Sequence, residues 1–344
     1  APAATRVDGT GAGDALAEGA SGDAGAGAET GADAPADASA ADDGDADGEA
    51  ADAGDGGPIV FAAGLHSPTG ITLSSTNVYW GSQADGVIMF CPKTGCPGGQ
   101  PSTIVTGQGG IVGLSYAPSG FLYWATTESP DGAQGAMVMR ECVTPFCGSP
   151  MPTLPTPYTQ PSAAAGVAVN SDRIYATQWS SLESCSLLYG CTLDGGMLQS
   201  EFNTSCGIQG VALGPSRVYI THWGCQTVTS CPLGVPCPSG QEVVLASAVL
   251  APLHVAVDDT SVYFTQFDAR VSTRPYTGPA SLDACPLAGC GGQPPVKLAT
   301  GGGPWGVAVD DTYVYYTDYL GGTVQRIPKV RSWPAPADAS TDGP

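Results

Sequence analysis

Basic residues are scarce in this chain, with 11 lysines and arginines against 32 aspartates and glutamates in 344 residues. That balance excludes the basic footprint nucleic acid requires and argues against electrostatic adhesion to anionic lipid. Histidine occurs three times, which leaves little room for an imidazole-rich metal site. No run of eighteen apolar residues exists, so no segment reads as a membrane-spanning helix. Sustained helical periodicity is missing everywhere.

Aromatic residues are absent before Phe61. The first 57 residues are almost entirely Ala, Gly, Asp and Glu and hold 14 acidic side chains against one base, Arg6. Such a segment buries too little apolar surface to offset chain entropy, so residues 1–57 are expected to be a disordered tail and 334–344 a shorter one. The body, 58–333, keeps 16 of the acidic and 10 of the basic residues, so the acidity belongs mainly to the tail. The opening APAATR suits a chain from which a signal has been removed. Twelve cysteines point to an oxidising, extracytoplasmic compartment if they pair.

What is abundant is repetition. A short apolar run, a polar turn and a Tyr-containing run recur six times, as GITLSSTNVYWGS from Gly70, GIVGLSYAPSGFLYWAT from Gly110, GVAVNSDRIYATQ from Gly166, GVALGPSRVYITH from Gly210, HVAVDDTSVYFTQ from His254 and GVAVDDTYVYYTD from Gly306. The marker tyrosines are Tyr79, Tyr123, Tyr175, Tyr219, Tyr263 and Tyr315, spaced 44 or 52 residues apart. A period in the forties is that of a four-stranded propeller blade. Within each copy GVAV reads as a buried inner strand and VYYT as the second. A third strand ends near a cysteine, and a fourth follows, such as STIV (102–105), EVVLA (242–246) or PVKLA (295–299).

The motifs YWGS, YWAT, YATQ, YITH, YFTQ and YYTD resemble the YWTD repeats of low-density lipoprotein receptors, and more loosely NHL-type propellers, over residues 58–329. The resemblance implies an all-β, six-bladed β-propeller. It implies no shared ligand, because fold does not carry function.

The cysteines follow the same period. Cys91/Cys96, Cys142/Cys147, Cys185/Cys191, Cys231/Cys237 and Cys285/Cys290 each flank a turn between the third and fourth strands, where two side chains reach disulfide range without distortion. A zinc site would need four ligands converging, and these pairs lie on different blades. A thioredoxin-like motif would need two intervening residues and a βαβ setting. Cys206 and Cys225 flank one end of the fourth copy and form a sixth expected disulfide. The last copy has Ile327-Pro328-Lys329 where the first has Cys91-Pro92-Lys93. The chain then ends without a fourth strand, while PIVFAAG (58–64) reads as a fourth strand with no blade of its own. The N-terminal strand is therefore expected to complete the last blade and close the ring.

In propellers the loops before the inner strand and after the second gather around one mouth of the central channel. Three residues past each marker tyrosine stand Ser82, Thr126, Gln178, His222, Gln266 and Asp318. One further stand Gln83, Thr127, Trp179, Trp223, Phe267 and Tyr319. With Trp305 and His254, just before inner strands, they form a candidate binding crescent of aromatic platforms beside polar groups. The competing reading is that repeated aromatics plug the wedges between blades. Insertions at 126–136 and 266–280, the latter with Arg270 and Arg274, point to this mouth as the binding face.

An enzyme such as a propeller lactonase or lyase would have to draw on Asp318, Glu128, His222 and His254, a set with no recognisable nucleophile–base arrangement. The VDDT turns at 257–260 and 309–312 lie at the opposite end, where Asp caps local backbone groups. Asn203-Thr204-Ser205 matches a glycosylation sequon. The sequence thus reads as a monomeric, extracytoplasmic propeller, secreted or tethered at the surface. Its expected role is a binding module for a protein, peptide or glycan at the channel mouth, with no cofactor or metal. The alternative is a hydrolase or lyase at that mouth.

Overall fold

The computed structural model describes residues 56–128, 134–145, 147, 151–154, 166–178, 180–187, 199–237, 241–268, 280–330 and 333. The expected tails fall outside these residues, apart from Gly56 and Gly57. Six four-stranded antiparallel sheets form the six blades. Their inner strands are Pro68–Leu73, Ile111–Tyr116, Val167–Val169, Ile208–Leu213, Pro252–Val257 and Pro304–Val309, and each contacts the inner strand of the next blade, the last returning to the first. No α-helix occurs among the described residues. One 3-10 turn spans Pro97–Gly99.

Ring closure follows the sequence expectation. Ile59–Ala62 pairs antiparallel with Thr323–Pro328, Ile59 opposite Arg326 and Ala62 opposite Val324. Phe61 packs edge-on against Tyr315 of the same blade and Trp80 of blade 1. The first strand is thus the outer strand of the last blade.

Strand alternation builds the core. Along each second strand, odd and even side chains face opposite seams between blades. Tyr79 lies in the seam with blade 2, beside Leu114 and Leu122, while Trp80 lies in the seam with blade 6, beside Ala308 and Tyr315. All six marker tyrosines are buried, none more than 4 % exposed. Six apolar clusters fill the six seams, so the tyrosine of the repeat is a packing residue.

Threonine at the next motif position but one stitches the blades near the axis. The hydroxyls of Thr177, Thr221, Thr265 and Thr317 donate to carbonyl oxygens of Gln209, Leu253, Trp305 and Thr69 on the following blade, at 2.6–2.9 Å. Each also accepts an amide from its own inner strand. Blade 1 has Gly81 at this position, and there Thr69 donates instead to Ile111 at 2.7 Å. Inner strands come close enough here that a Cβ at Gly70 would stand 2.7 Å from the Leu114 nitrogen, which explains the glycine beginning most copies.

At the other end of the strands, Asp258 and Asp310 cap their turns. Asp258 Oδ1 accepts the amides of Thr260 and Ser261, and Asp310 Oδ1 those of Thr312 and Tyr313. Each also pairs across a seam, Asp258 with Lys329 at 2.7 Å and Asp310 with Lys93 at 3.1 Å. Burial alone would raise both carboxyls, but the lysine partner and the amide hydrogen bonds outweigh it and hold them below the usual range.

Five expected disulfides form: Cys91–Cys96, Cys142–Cys147, Cys206–Cys225, Cys231–Cys237 and Cys285–Cys290. Of the sixth pair, Cys191 lies outside the described residues.

Candidate functional site

Five of the six blades carry a register shift at the start of the inner strand, as between Pro68 and Ile71 or Pro304 and Val307. Such a bulge re-aims the side chains within it. It contains Thr69 and Gly70 in blade 1, Leu253 and His254 in blade 5, and Trp305 and Gly306 in blade 6. In four blades the residue four past the marker tyrosine is tied to the loop before the inner strand. The amides of Gln83, Trp223, Phe267 and Tyr319 donate to carbonyls of Ser67, Gly207, Ala251 and Gly303 at 2.8–3.1 Å. The two loop sets therefore meet at one end of the channel.

The polar residues three past each tyrosine do not gather at that mouth. Most are buried and bonded inward, chiefly within their own blade. His222 is 2 % exposed, its ring 5.5 Å from Phe202, with Nε2 2.8 Å from Thr229 Oγ1 and Nδ1 unpartnered. Desolvation pushes its imidazole down to about 4. Gln266 is buried and donates to Asp283 Oδ2 at 2.7 Å. That aspartate, buried with Oδ1 unpartnered, has its carboxyl raised by desolvation. Asp318 accepts the amides of Gly303 and Gly321, both at 2.8 Å. Ser82 donates to the His66 carbonyl. Thr126 is buried too, and Gln178 is half-buried with its amide on the Ser181 carbonyl. These groups hold turns and seams.

The aromatic residues divide. Phe267, His254, Trp305 and Tyr319 come together from blades 5 and 6. Trp305 stacks on Tyr319 with ring centroids 5.0 Å apart, Phe267 lies 6.1 Å from Trp305 and 6.0 Å from Tyr319, and His254 lies 6.5 Å from Trp305. Phe267 is buried beneath, whereas Trp305 and Tyr319 keep part of their surface. Trp305 Nε1 has no hydrogen-bond partner. His254 also keeps some accessible surface, yet desolvation pushes its imidazole down to about 4. Trp223, on blade 4, is half-buried. Trp179, Arg270 and Arg274 lie outside the described residues, as does the side chain of Glu128.

Sequence reasoning passed over a pair at the same mouth. His66 Nδ1 lies 2.9 Å from Asp85 Oδ1, and Ser82 Oγ lies 2.9 Å from Asp85 Oδ2. The signal was present: His66 precedes an inner strand and Asp85 follows a second strand, the two stations that define the mouth. Further along the axis a cavity of about 230 Å³ is lined by Ile71, Leu114, Val167, Val211, Val255 and Val307 with their neighbours, none of them ionisable. Among the described residues no group of three His, Cys, Asp or Glu side chains is placed to hold a metal ion.

No protein-family model matches the sequence, and no curated protein matches it. Solved structures do resemble it. One is of a nidogen/laminin complex, at 16 % identity and a TM-score of 0.52, covering 70 % of this chain and 84 % of that one. A second is the PQQ-bound aldose sugar dehydrogenase of Streptomyces coelicolor, at 13 % identity and a TM-score of 0.57, covering 78 % and 96 %. A third is a gluconolactonase from Xanthomonas campestris, at 11 % identity and a TM-score of 0.57, covering 79 % and 88 %. The likeness is one of fold, and the proteins sharing it do different things.

Proposed function

We propose that this propeller is a binding module, acting outside the cytoplasm, that takes a protein, peptide or glycan at the mouth where blades 5 and 6 meet. The observation that carries it is the Trp305–Tyr319 stack, part-exposed and backed by Phe267 and His254. Repeated residues serve the architecture; Phe267 and Tyr319 share their station with Trp179 and Trp223, but Trp305 and His254 are not repeated. Where blade 6 has Trp305, other blades have Thr69, Val112, Gln209 and Leu253. Where blade 5 has His254, the others have Gly70, Gly113, Gly166, Gly210 and Gly306. Large side chains at positions the fold does not demand, on a face built by paired loops, are the usual marks of recognition.

Asp318, His222 and His254 are each held separately rather than converging on one reacting atom, which supports binding over hydrolysis or elimination. Disulfides on several blades support an oxidising compartment. The test is a combined protein and glycan array probed with the wild type and with Trp305→Ala and Tyr319→Ala. Specific binding that both variants weaken by about tenfold or more, as for an aromatic anchor, supports the reading. Binding that neither variant changes overturns it.

A further inference from the structure

At the junction of blades 6 and 1, the aromatic pair continues into a polar edge. Tyr319 donates its hydroxyl to Gln83 Oε1 at 3.2 Å. With the oxygen so engaged, the NH2 group keeps two donors. No hydrogen bond from Gln83 Nε2 exists among the described residues. The Gln83 backbone amide in turn donates to Ser67 at 3.0 Å, next to His66.

The His66 imidazole stands mostly in solvent, 72 % exposed, against an Asp85 side chain 39 % exposed. Ser82 Oγ lies 2.9 Å from Asp85 Oδ2, its one proton shared between that oxygen and the His66 carbonyl, and accepts the Asp85 amide at 3.2 Å. The hydrogen bond from His66, ahead of a smaller opposing effect of burial, holds the Asp85 carboxyl below its usual range. An ionised carboxylate fixes the tautomer in which Nδ1 carries the proton. No protein group bonds His66 Nε2 among the described residues, so in the neutral ring it is a free acceptor. Within one small surface the chain offers a part-exposed aromatic stack, two amide donors and one imidazole acceptor.

We propose that this sector, Trp305, Tyr319, Gln83 and His66 with Asp85 as its positioning residue, is a saccharide site that takes a pyranose through two adjacent hydroxyls. A sugar ring has an apolar face of C–H groups, which suits an aromatic surface, and a rim of hydroxyls that each donate and accept. One hydroxyl donates to His66 Nε2 while its neighbour accepts from the Gln83 amide. The proposal rests on the binding-module reading and narrows it to one ligand class.

The full chain is screened on a glycan array, and the methyl glycoside of the strongest terminal sugar is titrated by calorimetry. Its two monodeoxy analogues, each lacking one of the adjacent hydroxyls, are titrated alongside. Gln83→Ala and His66→Ala are each expected to lower affinity about tenfold, the effect of losing one well-placed hydrogen bond. Tyr319→Phe, which keeps the ring and frees the amide, is expected to lower it about threefold. A deoxy sugar should bind the wild type more weakly but bind the variant lacking its partner no worse than the parent sugar does. That cross-pattern separates direct contact from a folding defect, as do unchanged denaturation midpoints. The saccharide proposal is overturned if no glycan binds at millimolar concentration, or if binding ignores Gln83→Ala and His66→Ala. Should a protein or peptide then bind in a Trp305-dependent way, the mouth reading survives alone. If nothing binds in that way, both fall.

Discussion

The hydroxyl of Thr317 donates to the carbonyl oxygen of Thr69 across 2.6 Å, joining the last blade to the first. The same hydroxyl accepts the amide of Gly306 at 2.8 Å, so one buried side chain satisfies two backbone groups on two blades. Thr317→Val keeps the shape and deletes both bonds. It is expected to cost about 1–3 kcal/mol, because a buried amide and carbonyl are left unpaired. Urea denaturation followed by tryptophan fluorescence checks this, and a variant as stable as the parent would show that the clasp is idle.

Closure by the first strand makes a sharper prediction. Deleting residues 1–55 should leave the unfolding midpoint in place. Deleting residues 1–62 removes the partner of Thr323–Pro328 and the Phe61 ring against Trp80 and Tyr315. The open edge and uncovered apolar seam should then give aggregation or loss of a cooperative transition. Size-exclusion chromatography and calorimetry distinguish the two truncations.

The disulfides should differ in weight. Cys91–Cys96 spans a sequence separation of 5, and Cys206–Cys225 one of 19. Loop-closure entropy assigns about 2 kcal/mol to the first and about 3 kcal/mol to the second. Paired Cys→Ala variants compared in denaturant should fall in that order. Peptide mapping without reduction should recover each pair within a single blade, and a bond between blades would contradict the fold.

Acid should destabilise the ring in two stages. His222 is neutral in its seam, with a folded pKa of about 4 below an unfolded value near ~6.5. Its stabilising contribution is complete above the unfolded value and is lost as pH falls from there toward 4. The loss is about 3 kcal/mol at most. Asp258 and Asp310, also lowered, contribute fully above the ordinary carboxylate value and lose that contribution at still lower pH. Denaturation midpoints measured from pH 7 to pH 4 should fall with acid, and His222→Gln should flatten the slope. A slope unchanged in that variant would remove His222 as its source.

Much of the architecture was legible along the chain. Six tyrosines at one period counted the blades, and cysteines flanking five turns marked where the third and fourth strands meet. Ile327, standing where a cysteine would be, showed that the last blade lacks such a turn and must borrow a strand. These features are local or periodic, so they survive reading without coordinates. Less of the candidate site was legible. The stations of Trp305, His254, Phe267 and Tyr319 followed from strand order, but not the fate of their polar neighbours.

Asp318, Gln266 and His222 stand at the expected mouth position, yet all three are buried and held by neighbouring groups. Whether a side chain at a strand end faces the seam or the mouth depends on the bulge before the inner strand and on how close the next blade stands. Neither is written in any one repeat. The contact of Tyr319 with Gln83 joins residues 236 apart in sequence, and it exists because the ring closes. The number of blades, their pairing and their closing strand were therefore determined by the sequence alone, through period and local turn chemistry. Which aromatics stack, which polar groups are buried and which pair is left facing solvent were decided by the tertiary structure, because packing between blades sets the direction of each side chain.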